Sequence, residues 1–230
     1  QGEIRIGLGS CCVASGSSDV RDQLERTITQ VGISAEIQQV GCVGICNQVP
    51  MMEIIKPGER PAFYAKVKPE EVREILLNHF KPEGFLRRIR GGFFNIFENM
   101  LADDAPRSFK KYQGEQRDTP FSRFLGPQMS IATEHRGTTD PVDLAGYRQA
   151  GGFRSLEKCL TSMKPQQVTD TITASGLRGR GGAGFPTGKK WQLVSDQDTQ
   201  EKYVICNGDE GDPGAFMDRM LLESYPYRVI

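Results

Sequence analysis

Four of the six cysteines in these 230 residues sit in two short groups. Cys11 and Cys12 are adjacent, while Cys42 and Cys46 are separated by Val43, Gly44 and Ile45. Thiolates four residues apart across a glycine-containing loop can face one iron. In the first group a partner at five-residue spacing would fall on Gly7 or Gly16, and neither is a ligand. Adjacent thiolates also rarely chelate one metal comfortably. Three chemistries follow. Iron can be bound through Cys11 or Cys12 with a non-cysteine fourth ligand or through both, the region can be a metal-free docking domain, or zinc can be completed by a distant ligand such as His79. Six cysteines are too few to staple a chain of this length with disulfides, so they fit a reduced compartment.

The second candidate chemistry is phosphate binding. Six glycines fall between Gly176 and Gly188, interleaved with Arg178, Arg180 and, just beyond, Lys189 and Lys190. Glycines let backbone N–H groups approach a phosphate or a flat ring closely, and the cations add charge. Gly179, Gly181 and Gly184 formally satisfy G-x-G-x-x-G, but a helix-like segment precedes them where the dinucleotide fingerprint requires a strand. A Rossmann site is therefore not predicted. Asn207, Asp209, Glu210 and Asp212 form an acidic loop after a run that reads as a buried strand, Tyr203 to Cys206. Carboxylates there suit sugar hydroxyls and disfavour an extra phosphate. With the glycine loop they predict a nucleotide or flavin cleft.

The elements that must position these residues read as follows. Residues 3–8 alternate as a strand, 9–18 form a loop, and Ser18 or Asp19 caps a helix to Val31 with Val20, Leu24, Thr27 and Ile28 inward. Strands follow at 35–40, 51–55 and 62–67, and Pro69 opens a helix ending near His79. This is a β-α-β-β-β-α module of roughly 80 residues. Residues 81–128 lose this texture. Arg87, Arg88 and Arg90, then Phe93 to Phe97, read as a connector that packs on a neighbour, the arginines more simply as a solvated face. Helices are predicted at 153–160, 168–174 and 189–194. The predicted domains are 1–82, a connector 83–135, and 136–230. Cys159, Cys206 and Trp191 read as core residues, and His79 and His135 as surface or helix-end residues.

Lys plus Arg and Asp plus Glu both total 29, which argues against a nucleic-acid surface. No apolar stretch approaches the ~20 residues of a bilayer span, so direct membrane insertion is not predicted. The first residue is Gln1 and the last run carries no stop signal, so the chain reads as a fragment of a longer polypeptide.

GLRGRGGAGFPTGKKW over 176–191, followed by CNGDEGDPGAFMDR over 206–219, closely resembles the family of FMN-binding, NADH-oxidising subunits of respiratory complex I. That family includes the diaphorase subunits of NAD(P)-linked hydrogenases and formate dehydrogenases. The Cys42–Cys46 spacing resembles half of the thioredoxin-like [2Fe–2S] ferredoxin module. The implied fold class is α/β: a thioredoxin-like domain, a connector, and the first part of an α/β FMN-binding domain that is not a true Rossmann fold.

The resemblance implies site residues too. Gly179, Arg180, Gly181, Gly182 and Lys190 match the FMN-phosphate and flavin loop. Asn207, Asp209 and Glu210 match the loop holding the ribityl chain and ring edge. Phe185 matches the aromatic that stacks on the NADH adenine. Asp212 stands where many relatives carry Glu near the nicotinamide nucleotide. The metal ligands would come from Cys11, Cys12, Cys42 and Cys46. The implied cofactors are FMN, NAD(H) or NADP(H) as substrate, a [2Fe–2S] cluster, and a [4Fe–4S] cluster in a part of the protein beyond this chain. The implied activity is hydride transfer between NAD(P)H and FMN, with single electrons passed to iron–sulfur centres. No side chain is required as acid or base. The implied partners are other iron–sulfur subunits of a cytoplasmic multi-subunit redox complex. The competing reading is a thioredoxin-like electron-transfer or docking module with an incomplete flavin domain. The chain as it stands is expected to bind flavin poorly.

Overall fold

The computed structural model describes residues 2–82, the backbone of 110–113, and residues 127–230. The elements are β1 (Gly2–Gly7), α1 (Ser10–Ala14), α2 (Ser17–Val31), β2 (Ala35–Val40), β3 (Met51–Ile55), β4 (Ala62–Ala65) and α3 (Val72–His79). They continue with β5 (Lys110–Gln113), α4 (Leu144–Gln149), α5 (Arg154–Ser162), α6 (Pro165–Ala174), α7 (Thr187–Ser195), α8 (Met217–Ser224) and α9 (Pro226–Val229). Residues 1–144 with 210–230 make one compact unit, and residues 145–209 make a second.

The first unit is built on a sheet of order β2-β1-β3-β4-β5. Strands β1 and β2 are parallel, and each later pairing is antiparallel. A parallel pair needs a crossover rather than a hairpin, and α2 supplies it. Alternation in β1 puts Ile4 and Ile6 inward, where they meet Val20, Leu24 and Val31 of α2 and Ile75 and Leu76 of α3. Those α2 positions recur at helical spacing on one face, and Thr27 completes it. This thioredoxin-like arrangement agrees with the α/β class expected for the module.

Three local readings change. The predicted loop 9–18 contains α1, which carries both Cys11 and Cys12. The N-cap of α2 is Gly16, not Ser18 or Asp19. Gly16 has φ +94°, a left-handed turn between two abutting helices that a Ser or Asp would hold only with strain. Strand β4 ends at Ala65, two residues early; Lys66 takes a positive φ and its N–H bonds Gln48 O. Inside the predicted connector, β5 pairs with β4 and adds a strand to the sheet. Arg87, Arg88, Arg90 and Phe93 to Phe97 lie outside the described residues.

In the second unit α6 and α7 pack closely. A Cβ on Gly188 would stand 2.1 Å from Thr173 Oγ1 and 2.6 Å from its Cα. The predicted strand at Tyr203 to Cys206 is absent: the run has no regular structure and Tyr203, Val204 and Ile205 are almost fully exposed. A strand must pair its backbone with a neighbour, and among the described residues this unit contains no strand to receive it.

Candidate functional site

The carboxyl ends of adjacent parallel strands lie at the same edge of a sheet. Gly7 pairs with Val40 at that edge, so α1 leaves β1 beside the loop leaving β2. Cys11 and Cys12 come with the first and Cys42 and Cys46 with the second. The four thiols thus converge although thirty residues separate the pairs in sequence. The Cys46 thiol lies close enough to those of Cys11 and Cys42 to interact with both. Cys42 Sγ accepts the Gly44 N–H at 3.3 Å. Burial, then the neighbouring Cys42, Cys46 and Cys11, pushes the Cys12 thiol up to about 12. Burial, then neighbouring Cys42 and Cys11, pushes Cys46 to about 11.

Of the four close thiols, Cys12 and Cys46 resist ionisation; a bound cation would favour the thiolates, and iron would supply it on displacing the protons. Among the described residues no three His, Cys, Asp or Glu side chains close around a single ion. A two-iron cluster divides its ligands between metals and does not need such a cage, so the donor set fits [2Fe–2S]. A Cβ on Gly7 would stand 3.4 Å from Cys12 Sγ, so the position five residues before Cys12 lies beside that thiol but carries no side chain to ligate. His79 is engaged elsewhere: its Nε2 lies 2.6 Å from Tyr64 Oη.

The segment after residue 210 closes over this edge. Glu223 accepts the Ser10 N–H at 2.9 Å and also the Ser10 hydroxyl. Ser224 Oγ accepts the Cys42 N–H at 2.9 Å, and Tyr225 Oη donates to Cys42 O at 3.4 Å. Burial pushes the Tyr225 phenol up to about 12, which keeps it a donor. Arg219 Nη2 donates to Cys11 Sγ at 2.9 Å. Phe216 and Met220 line the same crevice as Cys11, Cys12 and Cys42. Sequence reasoning missed these residues. They are ordinary polar side chains, and 182 to 213 positions separate them from their partners.

The glycine loop belongs to the second unit. Gly179 N–H bonds Phe185 O and Thr187 N–H bonds Leu177 O, each at 2.9 Å, closing a narrow loop. Arg178 Nη1 braces it on Gly184 O at 3.1 Å. Among the described residues the N–H groups of 180–184 make no backbone bond, and a Cβ on Gly181 or Gly182 would meet nothing within 4 Å. Exposed donors on an uncrowded tip are what an anion-binding loop requires. Beside the loop lies a cleft of about 450 Å³. Arg178 and Lys189 supply its charge, with Asp170 opposite; Arg180 and Lys190 do not line it. Phe185 is half-exposed.

Asn207 and Asp209, of the same unit, do not line that cleft; Asp209 N–H bonds Asn207 Oδ1 at 2.9 Å. Glu210 caps α8, accepting the N–H groups of Asp218 at 2.6 Å and Arg219 at 3.1 Å. Asp212 is exposed, and its carbonyl accepts the Ala215 N–H. Three core assignments are corrected. Cys206 is exposed because its strand does not form, Trp191 is exposed on α7, and Cys159 is only half-buried on α5. These helices have too little facing them, among the described residues, to bury a large side chain.

Residues 1–79 match the family model of the thioredoxin-like [2Fe–2S] ferredoxin, and residues 172–230 that of the Nuo51 FMN-binding domain. A relative is the NADP-reducing hydrogenase subunit HndC of Solidesulfovibrio fructosivorans, 48% identical over 45% of this chain and 21% of its own. The NAD-reducing hydrogenase HoxS subunit alpha of Cupriavidus necator is 58% identical over 36% of this chain and 14% of its own. An NADH-quinone oxidoreductase subunit of Escherichia coli is 40% identical over 41% of this chain and 22% of its own. The chain thus matches between 14% and 22% of the length of these relatives. A thioredoxin-like [2Fe–2S] ferredoxin from Aquifex aeolicus superposes on 34% of this chain and 78% of its own with TM-score 0.30 and 22% identity. An NAD+-reducing [NiFe]-hydrogenase chain superposes on 98% of this chain and 32% of its own with TM-score 0.31 and 23% identity. One chain thus carries a segment that matches the thioredoxin-like [2Fe–2S] ferredoxin model and, after it, a segment that matches the Nuo51 FMN-binding domain model.

Proposed function

We propose that this chain is part of an electron-input subunit that oxidises NAD(P)H, or reduces NAD(P)+, through FMN and passes single electrons through a [2Fe–2S] cluster held by Cys11, Cys12, Cys42 and Cys46. The carrying observation is the convergence of four thiols at one sheet edge, in a chain that continues into an FMN-binding family segment. FMN, when bound, converts a two-electron hydride into two single-electron transfers. The chain's own residues position it. The backbone of Gly179, Gly181 and Gly182, with Arg180 and Lys190, holds the phosphate, while Asn207, Asp209 and Glu210 hold the ribityl chain and ring edge. Phe185 stacks on the adenine of the dinucleotide, and Asp212 lies near its nicotinamide half. Arg178 and Lys189 add charge beside the loop.

In the longer protein, a [4Fe–4S] cluster and further iron–sulfur subunits continue the chain of electron acceptors, in the cytoplasm. The relatives named above are subunits of hydrogenases and of an NADH-quinone oxidoreductase, and no helix among the described residues is long and apolar enough to cross a membrane. With residues 203–206 exposed, the 230-residue chain alone is proposed to hold FMN weakly.

The test is anaerobic reconstitution of the chain with iron and sulfide. About two of each per chain, with thiolate-to-iron absorption that bleaches on reduction, is the expected result. Cys42→Ser and Cys46→Ser should abolish it, whereas Cys159→Ser and Cys206→Ser should not. A folded chain that stays colourless and iron-free would overturn the cluster and leave a docking module.

A further inference from the structure

We propose that Arg219, carried by α8 from the FMN-family segment, covers and tunes the cysteine site of the ferredoxin-type module, raising the reduction potential of the cluster held there. The inference rests on the reading that Cys11, Cys12, Cys42 and Cys46 hold a [2Fe–2S] cluster. The guanidinium contact to Cys11 Sγ, at 2.9 Å, is one of several bonds that fix α8 in place. At its start, Glu210 accepts the backbone N–H groups of Asp218 and Arg219, so the residue bearing the guanidinium is itself anchored. At its end, Glu223 holds Ser10 at the start of α1, and Ser224 holds the Cys42 N–H. A Cβ on Gly41 would stand 3.0 Å from Ser224 Cβ and 3.1 Å from its carbonyl oxygen, so the helix end sits tightly on the cysteine loop. These bonds grip α1 and the Cys42 loop, the two carriers of the thiols.

Reduction of such a cluster adds one electron and therefore one negative charge, with no bond broken and no proton required. Part of that charge falls on the thiolate sulfurs. A guanidinium donating to Cys11 Sγ stabilises the more negative, reduced state more than the oxidised one, because the interaction grows with the charge on the acceptor. Phe216 and the buried Met220 line the crevice beside it, while the guanidinium itself is exposed. The Glu223 carboxylate in the same crevice, which accepts the N–H and hydroxyl of Ser10, opposes Arg219 in part and does so equally in wild type and in the Arg219 variants. The residue that sets the module's potential thus comes from the flavin-family segment, 208 positions away in sequence. The Nη2 contact is a bond on the ligand sulfur, the kind of outer contact by which a protein sets a cluster's potential.

The experiment is an EPR-monitored redox titration of the reconstituted 230-residue chain with dithionite as electron donor. Wild type is compared with Arg219→Gln, which keeps donors but loses the charge, and Arg219→Lys, which keeps the charge but loses the planar fork. Arg219 is exposed, so neither change should unfold the chain, and circular dichroism checks this. The expected result is equal iron and sulfide loading in all three, with the midpoint potential lowered beyond titration error in Arg219→Gln and by less in Arg219→Lys. Equal midpoints and unchanged EPR line shapes would overturn the tuning role and leave the cluster reading standing. Loss of the cluster from Arg219→Gln alone would overturn it as well, by making Arg219 a retention residue. A wild-type chain without the reduced-cluster signal would overturn both readings at once.

Discussion

The module at residues 2–82 and the segment at 145–209 are both rich in readable pattern, yet only one of them has an interior. Ile4, Ile6, Leu24, Ile54, Ile75 and Leu76 are at most 1% exposed. In residues 145–209 only Thr169 and Gly188 are buried, while Trp191, Leu193 and Val194 on α7 are about half exposed. The module's chemistry, a set of converging thiols, follows from its packing, because the sheet and α2 bring two strand ends together. The segment's chemistry is a backbone motif, a glycine loop closed by two main-chain bonds, which needs little core to take its shape. Buried apolar area sets stability, so the two regions should respond very differently to truncation.

The largest expected difference follows directly. Leu24→Ala removes a side chain enclosed between α2 and the sheet and should cost ~2–5 kcal/mol in urea unfolding. Leu160→Ala on α5, where the side chain is 76% exposed, should cost no more than ~0.5 kcal/mol. Comparable losses at the two sites would break the contrast and reveal a second core around α5.

A middle-sized effect sharpens it. Gly188→Ala would place a Cβ against the backbone of Thr173, which cannot rotate away. Parting α6 from α7 should cost ~1–3 kcal/mol. Amide exchange should quicken in residues 165–195 while β1 to β4 keep their protection, since the contact lies wholly within the second unit. Loss of protection in both regions would show that the two units unfold as one.

How far the sequence reached differs between these regions for the same physical reason. The strands at 35–40 and 51–55, the helix to Val31 and the inward residues Val20, Leu24 and Thr27 were legible because their periodicity is local and the core they face is present. The pairing of Cys42 with Cys46 was legible from spacing. The convergence of Cys11 and Cys12 on them was implied by the family resemblance alone, because spacing cannot show it: it depends on β1 and β2 lying parallel. Tyr203 to Cys206 has strand composition, but composition cannot supply the neighbouring strand that pairing demands. Arg219, Glu223 and Ser224 lay beyond any local rule: nothing in a short helix announces that its side chains bond a thiol and a loop some two hundred residues earlier. Glu210 carries the motif-based claim of a flavin contact, and in this structure its carboxylate caps α8. A cap and a ligand contact draw on the same two oxygens.

The smallest expected effect turns on charge, and only a region with an interior can produce it. Glu53 lies in β3 opposite Arg5 in the β1–β3 register, with Arg5 Nη1 at 3.4 Å from its carboxylate. Burial raises its pKa above the ordinary 4.5, and Arg5 offsets that in part. A carboxyl whose folded pKa is raised favours folding while protonated; that contribution is full below 4.5 and is lost as pH rises through the folded value. At neutral pH the ionised Glu53 therefore holds the module below the stability it would have with a neutral side chain. Glu53→Gln stays neutral throughout, so its stability in urea should exceed that of the wild type at pH 7, with the gap narrowing as pH falls toward 4.5. Should the variant be the less stable of the two at pH 7, the Arg5 pairing outweighs burial, and the sheet interior near the cysteine edge tolerates charge better than its packing implies.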